Sequence, residues 1–426
     1  MGEFYEQIKR HLLDTEHIYK SFLTYIDSEQ NEEELFLNLK TLLQDNHFLD
    51  DKHLMREFLH IISSISKHHH RSTSFFQKIE KIFHEFRKEI TSLLVGEELL
   101  RIFRKSRRVL LLLFEQNFVQ LNPTIARQII NSQKANFAKY FYPEIHPYFD
   151  SHQNMPIENI DIFKKLRRVG ENESTICSLI RRDAIDDFIK FIHRKNVKPN
   201  QQIALSIFET NLDLLIFNVS LIEYAAYCGS FEILKYLWNQ HIQVDPPKIF
   251  SFAIHGRNHE MIHFLEEKFR FPSNAGNSSY QLDAIRCHHN ELAYYLFIKG
   301  YQSRNDDTFY DSFVNYNYKT ICGVLKSKSE FDLITTPETL FLDACENDYY
   351  YIVKILSNCP AIDVNAIDVL YKQKYFMKFL LINIFMEFQI FFLHLTPLAK
   401  AAKYGNLEVV NYLLTIDNID INAQTI

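Results

Sequence analysis

Three consecutive histidines, His68, His69 and His70, are the residues whose type and spacing most directly suggest chemistry. Imidazole is a common zinc ligand, so a metal site is one interpretation of the triplet. Adjacent side chains on a helix point in different directions, however, and no cysteine or carboxylate lies at ligand spacing from these three. Because Lys67 and Arg71 flank the triplet, the pattern favours a solvated segment between two helices.

Two further polar clusters have a functional and a structural interpretation. His288 and His289 are interpreted as part of a turn or as a binding tip. A basic run, which could contact phosphate or an acidic partner, precedes the apolar residues 109–114. The apolar run favours instead a helix with one solvated basic face and one core face. The run comprises Arg101, Arg104, Lys105, Arg107 and Arg108.

Sequence motifs of catalysis are missing from the chain. It has no Walker loop and no GxGxxG, GxSxG or HExxH motif, so we predict no enzymatic activity, no catalytic or cofactor-binding residue and no metal. An enzyme hidden in the first 170 residues stays an open alternative. None of the six cysteines forms a CxxC pair, and the N-terminus has no secretory pattern. We therefore predict reduced, mostly buried thiols and a cytoplasmic protein.

Composition points to a helical protein. Hydrophobic residues make up 46% of the 426 residues and charged residues 23%, which is an ordinary balance for a globular protein. Only 9 glycines and 11 prolines are present, too few for the many turns of a β-sandwich or barrel. The net charge of −6 gives no general attraction to nucleic acid or to an anionic membrane, so no nucleic-acid partner is expected.

The clearest local pattern lies near the C-terminal end of the sequence. Thr396 suits a helix N-cap, and Pro397 suits the first helical position. Ala401 and Ala402 allow close helix packing, and Gly405 supplies a left-handed residue that ends the helix. A second apolar face follows, formed by Val409, Val410, Leu413 and Leu414. Residues 396–426 therefore predict a helical hairpin followed by a turn.

This pattern recurs upstream. Positions equivalent to Leu413 are Leu356, Leu325, Leu296, Leu265, Leu237 and Phe191. Besides glycine, the residues that best tolerate a positive φ are Asn, Asp and His. Those types fill nearly all the places equivalent to Gly405, which are Asp183, Gly229, Arg257, His288, Asn317 and Asp348. This agreement with backbone sterics supports the alignment, although Phe313 breaks the small-residue pattern.

The repeating unit resembles the ankyrin repeat, with Ala399 standing where that family's TPLH pattern carries histidine. From about residue 75 onward the chain also resembles a large protein family found in parasitic protists. Its members join a helical N-terminal region of unknown function to ankyrin repeats. The resemblance implies binding through repeats and supplies no activity. The segments that carry it are 141–144, 170–174, 176–181, 206–211 and 221–226.

We therefore predict an all-α protein, an ankyrin-type helical solenoid preceded by an irregular helical N-terminal domain that caps the array. Helices are expected near 3–25, 31–46 and 51–66, from Ser74 to Gly96, over 99–118 and from Asn122–Pro123 onward. The predicted domains are 1–170 (helical), 171–218 (degenerate first repeat and linker), 219–366 (ankyrin repeats), 367–395 (apolar insertion) and 396–426 (last repeat).

The insertion at 367–395 has three interpretations. Residues 375–395 are long and apolar enough for a membrane span, but they contain Lys378, Glu387 and other polar residues. A span would also separate the last repeat from the repeats on which it should stack. The second interpretation is a helical insertion that packs on the side of the solenoid. The third is an intervening sequence that has been wrongly translated.

Binding of other proteins is the predicted function, as an interaction module or adaptor; the alternative is a membrane-associated protein anchored by 375–395. In an ankyrin repeat the exposed positions of the concave face lie between the small pair and the turn. Tyrosine, arginine and histidine at such positions are good contact residues because they bury area and also hydrogen-bond. On this basis the predicted protein-binding residues are Tyr227, His255, Arg286, Tyr316, Lys403 and Tyr404. Partner identity and oligomeric state stay open.

Overall fold

A computed structural model describes residues 2–131, 136–148, 157–216, 218–269, 280–301, 305–326, 337–367 and 395–423. The described residues are all-α and form no strand; their one β-type contact is an isolated bridge between Gln202 and Ser220. This confirms the predicted fold class. The chain divides into two compact units, which are residues 20–320 and residues 1–19 together with 321–426.

The N-terminal helices follow the apolar periodicity of the sequence. They are α1 (Gly2–Asp27), α2 (Glu32–Asp45), α3 (Lys52–His68), α4 (Phe75–Glu85), α5 (Arg87–Leu93), α6 (Gly96–Phe103), α7 (Arg107–Glu115), α8 (Pro123–Ile130), α9 (Phe137–Tyr140), α10 (Tyr142–Ile145) and α11 (Ile160–Val169). Asp51 caps α3 by accepting from the amides of His53 and Leu54, and Asn122 caps α8. Three predictions are wrong: Gly96 begins a helix, the helix expected from Ser74 to Gly96 is divided at Phe86 into α4 and α5, and the helix expected over 99–118 is two helices.

A buried lysine fixes the end of α1. Lys78 on α4 donates from Nζ to the carbonyls of Tyr25 and Ile26 at 3.0 and 3.2 Å, and also to that of Ser28. A cation is stabilised at a helix C-terminus because the last carbonyls have no partner within the helix. This contact holds Asp27, the last residue of α1, in a defined place.

The helix pairs of the repeats follow. In the larger unit they are α12 (Thr175–Arg181), α13 (Ile185–Lys195), α14 (Leu212–Ile216), α15 (Leu221–Cys228), α16 (Phe231–Trp238), α17 (Pro246–Gly256), α18 (His259–Phe269), α19 (Tyr280–Arg286), α20 (Asn290–Ile298) and α21 (Asn305–Val314). The boundary between the units falls within α22 (Tyr318–Lys326). The other unit holds α23 (Pro337–Glu346), α24 (Tyr350–Ser357), α25 (Pro397–Tyr404) and α26 (Leu407–Leu413). Each unit buries the apolar side chains between its pairs.

A residue with positive φ joins the two helices of each repeat. These residues are Asp183, Gly229, Arg257, His288, Tyr316, Asp348 and Gly405, with φ between 47° and 75°. Six of them are the predicted ones, but Tyr316 takes the place predicted for Asn317. The register slips there because Ser312, which is fully buried, fills the small-residue position, so Phe313 does not break the pattern.

Two glycines set the closest approach of neighbouring repeats. A Cβ on Gly256 would lie 2.3 Å from the carbonyl oxygen of Ala226, and one on Gly229 would lie 2.4 Å from that of Gly256. Gly256 is therefore required for backbone proximity, whereas the left-handed turn residue is Arg257 itself.

The helices in the described part of the chain include no candidate membrane span. The predicted insertion at 367–395 lies, apart from residues 367 and 395, outside the described residues, as does nearly all of the candidate anchor at 375–395.

Candidate protein-binding face

A side-chain hydrogen bond joins successive repeats at the residue that follows the turn. The bonds run from Ser230 to the carbonyl of Ile180, from Asn258 to Gly229, from His289 to Ile254, from Asn317 to Ile285 and from Asn406 to Cys345, at 2.6 to 3.1 Å. The sequence analysis did not find these donors, although their small polar or imidazole side chains recur one place after the predicted turn. They fix the spacing of neighbouring turns.

In the larger unit the turns and the ends of the first helices form a surface that we call the repeat face. Its members here are Tyr227, His255, Arg286, His288 and Tyr316. Four of these residues, Tyr227, His255, Arg286 and Tyr316, are predicted protein-binding residues. In this protein, part of the same chain lies on them.

Helix α3 runs over the end of the repeat face. The ring of His60 stacks on that of Tyr316, with centroids 5.0 Å apart and planes 3° from parallel. The hydroxyl of Ser64 donates to the carbonyl of Asn315 at 2.7 Å and lies 3.3 Å from Nε2 of His288. These contacts join residues more than 200 positions apart in the sequence.

Residues 68–71, which we call the histidine segment, continue along the same face. Nδ1 of His69 lies 2.7 Å from the carbonyl oxygen of Cys287. The ring of His70 lies beside that of His255, with centroids 6.0 Å apart. Arg71 donates to the hydroxyl of Thr210 at 2.8 Å and to the carbonyl of Ser66. The segment therefore contacts three successive parts of the repeats.

Asp27 links the histidine segment to a repeat turn. One carboxylate oxygen lies 2.7 Å from Nε2 of His69, and the other lies 2.7 Å from a guanidinium nitrogen of Arg257. Burial alone would raise the pKa of Asp27, but the hydrogen bond and charge of His69, with the charge of Arg257, lower it to about 2. Both ring nitrogens of His69 lie at hydrogen-bond distance from an oxygen atom.

The neighbouring imidazoles are held neutral. Burial lowers the pKa of His68, His255, His288 and His289 well below the ordinary value, and it lowers that of His70 to about 4. Nearby cations act in the same direction. Nδ1 of His255 and of His289 each bonds a backbone carbonyl, and Nε2 of each is buried with no hydrogen-bond partner among the described residues.

Three of the six predicted binding residues are covered. Tyr227, His255 and Tyr316 are 3%, 5% and 6% exposed. Tyr227 stacks on His255 with centroids 3.6 Å apart, and its carbonyl accepts from His255 at 3.0 Å. The expectation that these positions are exposed is wrong. His60 of α3 stacks on Tyr316, which is itself the turn residue, and His70 lies beside His255. Tyr227 is buried by its packing against His255 and Phe252.

Arg286 is the predicted binding residue of the repeat face that keeps some exposure. Its side chain is 36% exposed, and it pairs with Asp213 at 3.8 Å and Asp283 at 3.3 Å. The charge of Asp213 raises the pKa of Arg286, in spite of burial and with help from Asp283. A contact role for Arg286 stays a prediction.

The smaller unit presents the other two predicted residues. Lys403 is exposed and Tyr404 is half-buried, and the lysine Nζ lies 5.7 Å from the centre of the tyrosine ring. Behind them, Lys400 is buried and pairs with Glu346 at 3.0 Å. The structure therefore separates the six predicted residues into a covered group, with Arg286 at its edge, and an accessible pair.

Two other sequence interpretations are corrected. The triplet His68, His69 and His70 is half-buried to buried, not solvated, and the described residues contain no group of three or more histidine, cysteine or acidic side chains able to hold a metal ion. In the basic run Arg107 and Arg108 are buried. The Arg107 guanidinium lies over the ring of Phe137, and Arg108 donates to the carbonyl of Arg168 at 2.5 Å.

Comparison with known protein families matches residues 394–426 to the family described as Ankyrin repeat. No curated protein matches the chain. The match falls on the predicted last repeat, which includes α25, α26 and the exposed Lys403. The resemblance to the protist family has no counterpart in these comparisons.

Proposed function

We propose that this protein is a non-catalytic protein-binding module that recognises polypeptide partners through its ankyrin-type repeats. One observation carries the proposal: the repeat face binds a helix and an extended segment of the chain through aromatic stacking and side-chain hydrogen bonds. Such contacts are those of a protein–protein interface. The ankyrin match supports the same role, because ankyrin repeats are an interaction motif without chemistry of their own.

Lys403 and Tyr404 are the proposed contact residues in the smaller unit. The aromatic ring offers area to bury, and the adjacent ammonium group offers a charge that is not already paired with a carboxylate in the structure's described part. Arg286 is proposed as a further contact at the edge of the repeat face. A cytoplasmic location is part of the proposal and is supported by six free thiols.

Affinity capture with the full chain tests the proposal. The wild type is compared with the double variant Lys403→Ala/Tyr404→Ala and with Lys190→Ala, a control at a side chain that is 78% exposed on α13. We expect the wild type to retain a protein at micromolar concentration. The double variant should retain about tenfold less of that protein, and the Lys190→Ala control should retain as much as the wild type. Retention by all three would place the site elsewhere on the repeats. If none retains a protein, the binding role at this surface is contradicted.

A further inference from the structure

The contact between the histidine segment and the repeat face has two features of a contact that pH could regulate. It occupies positions that an ankyrin repeat would offer to a partner, and it is built largely from imidazoles, the side chains that gain a charge nearest to physiological pH. Six histidines lie within it, namely His68, His69, His70, His255, His288 and His289.

We propose that α3 and the histidine segment form an autoinhibitory clasp on the repeat face, and that protonation of its buried histidines releases the clasp. The proposal rests on the proposed function, since inhibition requires that the covered face can bind a partner. The release itself can be measured without a partner.

The hydrogen-bond geometry shows why added protons disfavour the covered state. Nδ1 of His255 and of His289 donates to a backbone carbonyl, which leaves Nε2 as the place for a new proton. Neither Nε2 atom has an acceptor among the described residues, so the new N–H group would be buried without a partner. A buried charged donor without an acceptor is strongly unfavourable.

The charges around the cluster act in the same direction. Asp27 contacts the histidine segment through His69, and its carboxylate is already shared between His69 and Arg257. Asp213 and Asp283 pair with Arg286, which also faces Asp311. In the described part of the chain, the other groups that act on the histidines are cations or neutral: Lys67, Arg71, Arg257, Arg286, Tyr227 and Cys287. The buried carboxyl of Glu209 lies near Arg71 and Tyr227. A proton added to one of these histidines would therefore meet mostly positive charge.

The direction of the pH effect follows from the lowered pKa values. A histidine whose pKa is lower in the covered state binds protons more readily after release, so the clasp is held fully above pH 6.5 and weakened as the pH falls toward 4. For His70 alone, a change from about 4 to the ordinary value of 6.5 favours release about 30-fold at pH 5. His68, His255, His288 and His289 add to this effect.

Release of the clasp would uncover Cys287. Its side chain is buried, and its backbone carbonyl accepts a hydrogen bond from His69. Cys177 is a matched internal reference, because it is buried in the core between α12 and the helices packed on it. The full chain is treated with dithiodipyridine, which reacts with thiols in mild acid, from pH 7 to about 4.5, and the modified cysteines are identified by peptide mass spectrometry. We expect the reactivity of Cys287 relative to Cys177 to rise at least tenfold.

Two variants make this test specific. Asn317 and Asn406 fill the place equivalent to His289 and donate the same bond, and asparagine tolerates the positive φ of His288. The double variant His288→Asn/His289→Asn should therefore fold. Release of its clasp should take up about two fewer protons than in the wild type, so it should depend less steeply on pH. His193→Asn, at an exposed histidine, should match the wild type. An unchanged slope in the double variant would overturn the role of these histidines.

Further outcomes test whether the clasp opens and whether it inhibits binding. If Cys287 stays protected down to pH 4.5, or if Cys177 becomes reactive in parallel with it, no clasp opens and the proposal is overturned. Asp27→Asn removes the shared carboxylate and should retain a partner more strongly at pH 7 than the wild type does. A partner that binds both equally would show that the contact is not inhibitory. If acid uncovers Cys287 and neither protein retains a partner, the proposed function fails while the pH-released contact stands.

Discussion

The turns at 286–289 and at 403–406 have the same backbone and opposite surroundings. In each, the turn residue donates its amide to a carbonyl three residues back, and the next residue donates to one five back: His288 to Ile285, His289 to Ala284, Gly405 to Ala402 and Asn406 to Ala401, at 2.9 to 3.1 Å. His288 is buried and contacts Ser64 of α3, whereas its counterpart Gly405 is half-buried. Arg286 is half-buried, whereas its counterpart Lys403 is exposed. The repeat pattern determines the turn, and residues outside the repeat determine whether it is accessible.

The largest effect on stability is expected from a substitution that disturbs the turn backbone itself. Gly229→Ala places a Cβ 2.4 Å from the carbonyl oxygen of Gly256 and strains a φ of 74°. We expect the free energy of unfolding to fall by about 3 kcal/mol or more, measured by urea denaturation.

The control for that variant is the same chemical change at Gly323 on α22, where an added Cβ meets nothing within 4 Å. Gly323→Ala should stabilise the protein by about 0.5 to 1 kcal/mol because alanine is the better helix former. Equal effects at the two sites would contradict the close approach of the repeats at Gly229 and Gly256.

Asp27→Asn comes next and acts on the covered face, through His69 and the turn residue Arg257. It leaves His69 and Arg257 without their shared carboxylate. Since the Asp27 side chain is 28% exposed, we expect a loss of about 1 to 2 kcal/mol at pH 7, again by denaturation. Asp50→Asn, at a side chain that is 79% exposed, should change stability by less than about 0.5 kcal/mol.

Asn406→Ala acts on the accessible turn. The Asn406 amide donates to the carbonyls of Cys345 and Glu346, both at 2.8 Å. Its removal leaves these carbonyls without that donor and should cost about 1 kcal/mol. Thermal denaturation of this variant beside Asn422→Ala, at an exposed asparagine, measures the difference; the second variant should melt with the wild type.

The smallest effect on stability is expected at Lys403, whose side chain is exposed. Lys403→Ala should change the free energy of unfolding by less than about 0.5 kcal/mol, so any loss of partner binding would report contact and not folding. A larger destabilisation would show that the lysine braces the repeat.

Local chemistry made most of the fold predictable. Apolar periodicity located the first helices, and the steric tolerance of glycine, aspartate and histidine for positive φ supported five of the seven turns. The alignment of the repeats located a sixth, at Arg257. Tyr316 was missed because an aromatic residue rarely adopts that conformation. Ser312 was missed because a serine replaces the expected alanine.

The covered face was not predictable in the same way. Ser64 and Asn315 are 251 residues apart, and no local pattern pairs them. The histidines at 68–70 and at 288–289 stood out separately in the sequence, but each cluster has an ordinary local interpretation as a segment between helices. Their pairing follows from how α3 packs, which depends on tertiary contacts that periodicity does not encode.

Hydrogen exchange in the full chain tests most directly the claim that the chain covers its own repeat face. Because the two turns share their amide hydrogen bonds, a difference in protection between His288–His289 and Gly405–Asn406 reports their surroundings. At pH 7 we expect the amides of His288 and His289 to exchange at least about tenfold more slowly, and the difference to shrink in Asp27→Asn. Equal exchange in the wild type, or an unchanged difference in the variant, would contradict the account.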